Sequence, residues 1–235
     1  AANISLPNKV YGHGWILSDE KKMSKSLGNI LDPIEIINKY GIDQLRYYLM
    51  KEVSLGNDGS ISLENLTNCI NNDLANNYGN LCQRVFSFIL KNCSNKIPKP
   101  GKFNSMDENL LNELKKELPN LVSLIDKQDL NSYIKKVVNY SFNANKYFND
   151  TQPWSLKKTD EKRMNTIIFT IVEQIKNISI LLSPIIPIAT SKTLNTLNVA
   201  AGKRNLDSVN KIDILCHDKE LQKIEILFNK VEHDS

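Results

Sequence analysis

The sequence predicts a mainly α protein, an antiparallel helix bundle preceded by a short β/α segment. Two observations carry that expectation. Apolar residues recur every three or four positions in five stretches between residues 62 and 197, the repeat expected when one helix face meets a core. The stretch before them, residues 1–60, is short and mixed, with no comparable repeat.

The elements follow in chain order. Lys9–Leu17 (KVYGHGWIL) combines β-branched and aromatic residues with two glycines, which reads as a strand running into a loop. After the polar stretch Ser18–Asn29, Asp32-Pro33 suits the first turn of a short helix over Ile34–Tyr40. Gly41 ends it, Asp43–Lys51 reads as another helix, and Gly56–Gly59 (GNDG) is a turn. Ser62 with Asn65 then opens a long helix whose buried stripe is Leu63, Leu66, Ile70, Leu74, Tyr78, Leu81, Val85 and Phe88. Asn92–Phe103 (NCSNKIPKPGKF) breaks the pattern. Helical periods return at 107–125, 129–149, 161–182 and 184–197, the last started by Ser183-Pro184. The 161–182 helix is the most apolar. Residues 198–235 are polar, with one apolar patch at Ile224–Phe228, and read as a docking tail. The expected division is 1–60, a helical domain over 61–197, and the tail 198–235.

Composition narrows the class. The chain has 235 residues, 41% hydrophobic and 24% charged, which excludes a disordered tail or a fibrous repeat. The longest apolar run, Ile178–Ile188, is broken by Ser183, Pro184 and Pro187, so no membrane span is expected, nor a signal peptide, and a cytoplasmic location fits. Cys69, Cys82, Cys93 and Cys216 form no CxxC pair, so no metal site and no disulfide framework is expected. Net charge is +4 and evenly spread, so any nucleic acid must be held by local contacts rather than by a broad positive field.

One stretch carries chemistry. In Lys22-Met23-Ser24-Lys25-Ser26, continued by Leu27-Gly28-Asn29, two lysines three residues apart flank small hydroxyl residues. That is a compact cationic donor cluster, suited to a polyphosphate whose charge shifts onto a leaving group. A bare K-x-x-K is usually a solvated loop. A second constellation lies on the long helix. Asn76, Asn80 and Arg84 are spaced by four residues, and at 100° per residue they form one ridge about 120° round from the buried stripe. Amides pair with base edges, and a guanidinium stacks or binds phosphate. In a chain with 30 asparagines such a ridge alone is more often a solvated face. Trp154, after Gln152-Pro153, fits either a binding platform or the lid of a small core, and Trp15 reads as packing.

KMSKSLGN, set between VYGHGW and the GxDxLRYxL pattern of Gly41–Leu49, resembles the second signature of class I aminoacyl-tRNA synthetases. GNLCQR (Gly79–Arg84) together with Pro153-Trp154 is similar to the methionyl-tRNA synthetase family. The resemblance implies the C-terminal portion of such a ligase: the end of a Rossmann catalytic domain carrying the lysine loop, then a class I anticodon-binding bundle. It implies that Lys22, Met23, Ser24, Lys25 and Ser26 bind ATP, with Lys25 the principal catalytic lysine and Lys22 its helper. It implies that Asn80, Arg84 and Trp154, and less directly Asn76, read the CAU anticodon. The implied partners are initiator and elongator methionine tRNA, with methionine and ATP (with Mg2+) in the full enzyme. Zinc would belong to the family's connective domain, and no cofactor is expected on this chain.

No His-x-Gly-His pattern occurs, so the chain by itself is expected not to activate methionine. Its end, Ile226–Glu232, resembles the family's closing L-F-P-R-I-E segment, with Asn229 in place of proline; the implied state is a monomer. Two alternatives share parts of the pattern: a synthetase of the leucine, isoleucine, valine or cysteine type, and a non-catalytic RNA-binding helical module.

Overall fold

The computed structural model describes residues 4–12, 14–18, 20–24, 31–222 and 225–232. Its first part is a three-stranded sheet with two helices. Strand β1 (Ile16–Ser18) pairs antiparallel with β2 (Lys21–Lys22) and parallel with β3 (Gly59–Ile61), Leu17 lying opposite both Lys22 and Ser60. The strand expected over Lys9–Leu17 is therefore confined to its end, and β2 and β3 were not foreseen. Strands this short carry almost no alternation, and β1 is completed by a partner more than forty residues away. The chain passes so close at Gly14 that a Cβ there would lie 2.1 Å from the Asn57 carbonyl oxygen, which only glycine permits.

Helices α1 (Pro33–Tyr40) and α2 (Ile42–Glu52) follow as expected. Asp32 caps α1 by accepting from the Ile34 amide at 2.8 Å. Gly41, at φ 107°, makes the corner between them.

The bundle begins at Ser62, which accepts from the Asn65 amide and caps α3 (Leu63–Cys69). The same continuous helix then widens to a π-helical segment (Ile70–Gly79) before returning to α4 (Asn80–Asn92). A uniform α repeat was expected here. The π stretch closes larger rings, yet Leu74, Tyr78, Leu81 and Val85 all point inward and are fully buried. Long helices α5 (Ser105–Asp126), α6 (Leu130–Thr151) and α8 (Glu161–Leu182) complete the bundle, with the single turn α7 (Pro153–Leu156) between the last two. Contacts at both ends place the helices alternately down and up. Tyr133 near the start of α6 donates to the Leu181 carbonyl near the end of α8, and Arg163 near the start of α8 pairs with Asp107 near the start of α5.

Helix α9 spans Pro187–Thr196, three residues later than Ser183-Pro184 suggests. The cause is tertiary. Arg46 of α2 donates to the carbonyls of Pro184 (2.7 Å) and Ile185 (3.0 Å), and Asp43 accepts from the Ala189 amide at 2.8 Å. In a helix begun at Pro184 the Ala189 amide would donate to the Ile185 carbonyl; here each is taken by a side chain of α2. Residues 198–222 and 225–232 then run back over the bundle: the Leu221 amide bonds to the Asn95 carbonyl, Asn71 exchanges two bonds with the backbone of Val231, and Phe228 is buried. Ile224, in the expected apolar patch, lies outside the described residues.

Helix α8 is buried on every side from Thr166 to Leu182. Within it Lys176 Nζ meets Glu173 Oε1 at 2.5 Å, both side chains being fully buried. Burial pushes the Glu173 carboxyl up and the Lys176 ammonium down, each against the pull of the other charge. The lysine also donates to the Lys211 carbonyl at 2.7 Å. Lys176→Met should leave the acid buried alone and lower unfolding free energy by about 3–5 kcal/mol in urea titration, whereas Glu173→Leu combined with Lys176→Met should recover most of that loss.

Candidate nucleic-acid interface

Asn76 and Asn80 stand exposed on the outer face of the π segment and the first residue of α4, and Arg84 is half-buried one turn on. Tyr78 is held inward by Ser179 (2.7 Å) and Thr193 (3.0 Å), with Asn77 and Gly79 buried beside it, and Asn76 and Asn80, two residues to either side, face solvent. Arg84 does not extend freely. Its guanidinium carbon lies 4.9 Å from the centre of the Phe148 ring, Nη2 donates to Asn149 Oδ1 at 2.7 Å, and Nη1 reaches Asn145 Oδ1 at 3.5 Å. Asn145 in turn donates to the Asn77 carbonyl and side chain, and Asn77 donates to the Val138 carbonyl. This amide network ties the π segment to α6.

Trp154 meets the same ring from another side. Its indole packs edge-to-face on Phe148, centroids 5.6 Å apart and planes at 86°, while Phe88 packs on Phe148 at 6.2 Å. An edge-to-face pair is worth about 0.5–1.5 kcal/mol beyond its buried area, and a guanidinium over a ring about 0.5–2 kcal/mol. Phe148 itself is 3% exposed, whereas Trp154 is 49% exposed, so one face of the indole remains available. The loop that presents it turns on Gln152, at φ 43°, followed by Pro153 in the first turn of α7. Arg84, Phe148 and Trp154 thus form one assembly at the pole where α6 ends and α8 begins. Exposed Asn80 lies one turn before Arg84, and Asn76 two turns before it.

Neither Phe148 nor Asn149 was singled out from the sequence. Phe148 counts there as one more apolar position of α6, and Asn149 as one asparagine among many. The run Tyr147–Trp154 (YFNDTQPW), two aromatics just ahead of the Pro-Trp turn, was the available signal.

The lysine loop lies in the small sheet. Lys22 is exposed in β2, its ammonium 5.2 Å from the centre of the Trp15 ring, and Met23 and Ser24 are half-buried. Lys25 and Ser26 lie outside the described residues, as does His13. Trp15, read as packing, is 68% exposed; three short strands provide no apolar layer over it, and its ring meets a cation instead. Asp43 and Arg46, part of the pattern Gly41–Leu49, join α2 to the entrance of α9. Among the described residues, no group of three or more His, Cys, Asp or Glu side chains could hold a metal ion, and no helix is long and apolar enough to cross a membrane. A cavity of about 810 Å3, mostly apolar, lies at the opposite pole between Met50, Leu121, Tyr133, Ile185 and Leu206. It shares no residue with either cluster.

Comparison with known families assigns both parts. Residues 1–86 match the model of class I tRNA synthetases of the methionine group. Residues 97–235 match the anticodon-binding domain of methionyl-tRNA ligase, more than half of the chain. The chain belongs to the methionyl-tRNA synthetase family.

Methionine–tRNA ligase of Brucella suis biovar 1 (strain 1330) is 41% identical over 209 residues, covering 89% of this chain and 41% of the relative. That of Rickettsia felis is 36% identical over 237 residues, covering 100% of this chain and 46% of the relative. Among solved structures, Mycobacterium tuberculosis methionyl-tRNA synthetase in complex with methionyl-adenylate superposes with a TM-score of 0.90 at 34% identity, covering 96% of this chain and 45% of that one. The chain spans less than half the length of these methionyl-tRNA synthetases. The expected fold class, a mainly helical chain with a small β/α part, stands.

Phe148→Ala should release both neighbours of the ring. Expected outcomes are a loss of about 3–5 kcal/mol in chemical denaturation and a red-shifted Trp154 emission in a Trp15→Phe background. Unchanged emission would mean the indole does not rest on this ring.

Proposed function

We propose that this chain supplies two functions to a methionine–tRNA ligase: anticodon recognition, and the lysine loop that acts on ATP. Recognition is carried by a single observation. Arg84 and Trp154 are braced on one buried phenyl ring while each keeps a polar head or an open π-face toward solvent. In this reading the indole stacks on an unpaired anticodon base, the guanidinium meets phosphate or a base edge, and Asn80 and Asn76 offer amides to neighbouring bases. A pre-braced guanidinium and indole lose little freedom on binding, which favours affinity.

Lys25 acts on the ATP phosphates as negative charge builds on departing pyrophosphate, and Lys22, Met23, Ser24 and Ser26 shape and assist the loop. ATP is used with Mg2+, and methionine is the amino acid activated. The partners are initiator and elongator methionine tRNA, and the working state is a cytoplasmic monomer. Residues 1–60 then belong to the catalytic body, 61–197 to the anticodon-binding bundle, and 198–235 to a tail docked on it. The staple of Asp43 and Arg46 onto the entrance of α9 supports a fixed orientation between loop and bundle.

The deciding experiment measures binding of the 235-residue chain to the anticodon stem-loop of methionine tRNA. Trp154→Ala should weaken it by about 5- to 150-fold, the worth of one stacked base; equal binding by the variant defeats the assignment. In the longer ligase, Lys25→Ala should lower the rate of adenylate formation far more than ATP affinity, as for a contact made chiefly in the transition state. Pre-steady-state adenylate formation and equilibrium ATP binding separate the two effects.

A further inference from the structure

Helix α6 presents a second aromatic ring to solvent. Phe142 is 48% exposed, although Phe148 on the same helix is buried and burying such a ring normally stabilises a fold. Lys135, Phe142 and Asn149 are spaced by seven residues, two turns each, so they form one stripe along α6. The stripe borders the groove against the π segment and α4, since Asn149 holds Arg84 there. Two turns on, Phe142 and Lys135 line a concavity of about 160 Å3 together with Tyr47, Lys51, Asp73 and Asn139. A second hollow of about 190 Å3, lined by Asn65, Asn68 and Asn72, shares Lys51 and Asp73 with it. Lys51 is ion-paired to Asp73 at 2.8 Å and to Glu52 at 3.0 Å, which offsets one of the two carboxylate charges in this stretch, and the exposed ammonium of Lys135 across the hollow offsets the other.

The opposite wall is a ladder of amides. Asn65, Asn68, Asn72, Asn76 and Asn80 are spaced by three or four residues and lead to Arg84. The hollow at Phe142 and the Arg84–Trp154 assembly thus lie along the same pair of elements, the long helix and α6. Together they offer amide donors and acceptors, the exposed ammonium of Lys135 and one open phenyl face, the chemistry that holds a single nucleic-acid strand. A lone ring among amides is a poor apolar patch for a protein partner. Along the helix, Phe142 is about 10 Å from Asn149, so the ring lies beyond the reach of a base stacked on Trp154.

We infer that Phe142 is a second stacking platform, which takes one further unpaired nucleobase of the RNA strand engaged by Arg84 and Trp154. This rests on the anticodon reading and extends it from a pole of the bundle to a track along α6. The test titrates the whole chain with fluorescent anticodon stem-loop RNA at fixed salt. Phe142→Ala and Phe142→Leu should each weaken binding by about 5- to 150-fold, and Phe142→Trp should retain it. Stem-loops with one abasic position each then locate the contact: on one of them Phe142→Ala should cost nothing further, and that position should differ from the one that silences Trp154→Ala. Wild-type affinity in Phe142→Ala or Phe142→Leu, or both rings mapping to one nucleotide, overturns the platform. If Trp154→Ala weakens binding and Phe142→Ala does not, only this inference falls; if neither matters, the anticodon reading falls with it.

Discussion

The arrangement depends on one constraint, the complete burial of α8 from Thr166 to Leu182. A helix with no solvent face must lie in the middle, and each polar group it carries inward needs a partner there. Those partners come from different elements. Gln174 donates to the Leu110 carbonyl of α5, Asn177 accepts from the Asn210 amide, Lys176 donates to the Lys211 carbonyl, and Ser179 bonds the Tyr78 hydroxyl. A hydrophobic centre alone would let its neighbours slide or rotate. These bonds set the depth and rotation of α5, the π segment and the tail.

The rotation of the π segment matters most for the proposed recognition surface. With Tyr78 pinned to Ser179 and Thr193, Asn76 and Asn80 must face outward, and Arg84 is aimed across the groove at Phe148 of α6. Side chains that the sequence separates by some seventy residues, Arg84 and Trp154, share that ring because α6 and the long helix containing α4 run in the same direction. Arg84 and Trp154 are thereby carried by a regular helix and one tight turn, the kind of support that the proposed reading of bases requires.

The helices were legible because their apolar stripes are long and their starts are chemically marked, as by Asp32-Pro33 and Ser62. The order Ile168, Ile171, Val172, Ile175 and Ile178 is enough to place α8, though not to say that its other faces are buried too. What escaped was set at a distance. The three strands are two or three residues long and stabilised by non-local pairing, so they leave no local pattern. The π widening changes ring size without changing which residue types appear. Ser183-Pro184 is a valid local start signal, overruled by two side chains from α2. At the candidate interface, the exposure of Asn76 and Asn80 could be read from spacing, because exposure follows helical phase, whereas Arg84 is half-buried against α6. The ring that braces Arg84 and Trp154 could not be read, because apolar positions of α6 look alike until the bundle closes.

The staple between α2 and α9 bears on how such proteins can be cut and recombined. Asp43 lies in the part of the chain that matches the catalytic family model, while the Ala189 amide it caps lies in the part that matches the anticodon-binding model. The boundary drawn by homology thus passes between a helix and its own cap. A chimera that transplants the bundle alone would strip α9 of that acceptor and leave the carbonyls of Pro184 and Ile185 without their guanidinium. Any portable version of this module has to take α2 with it.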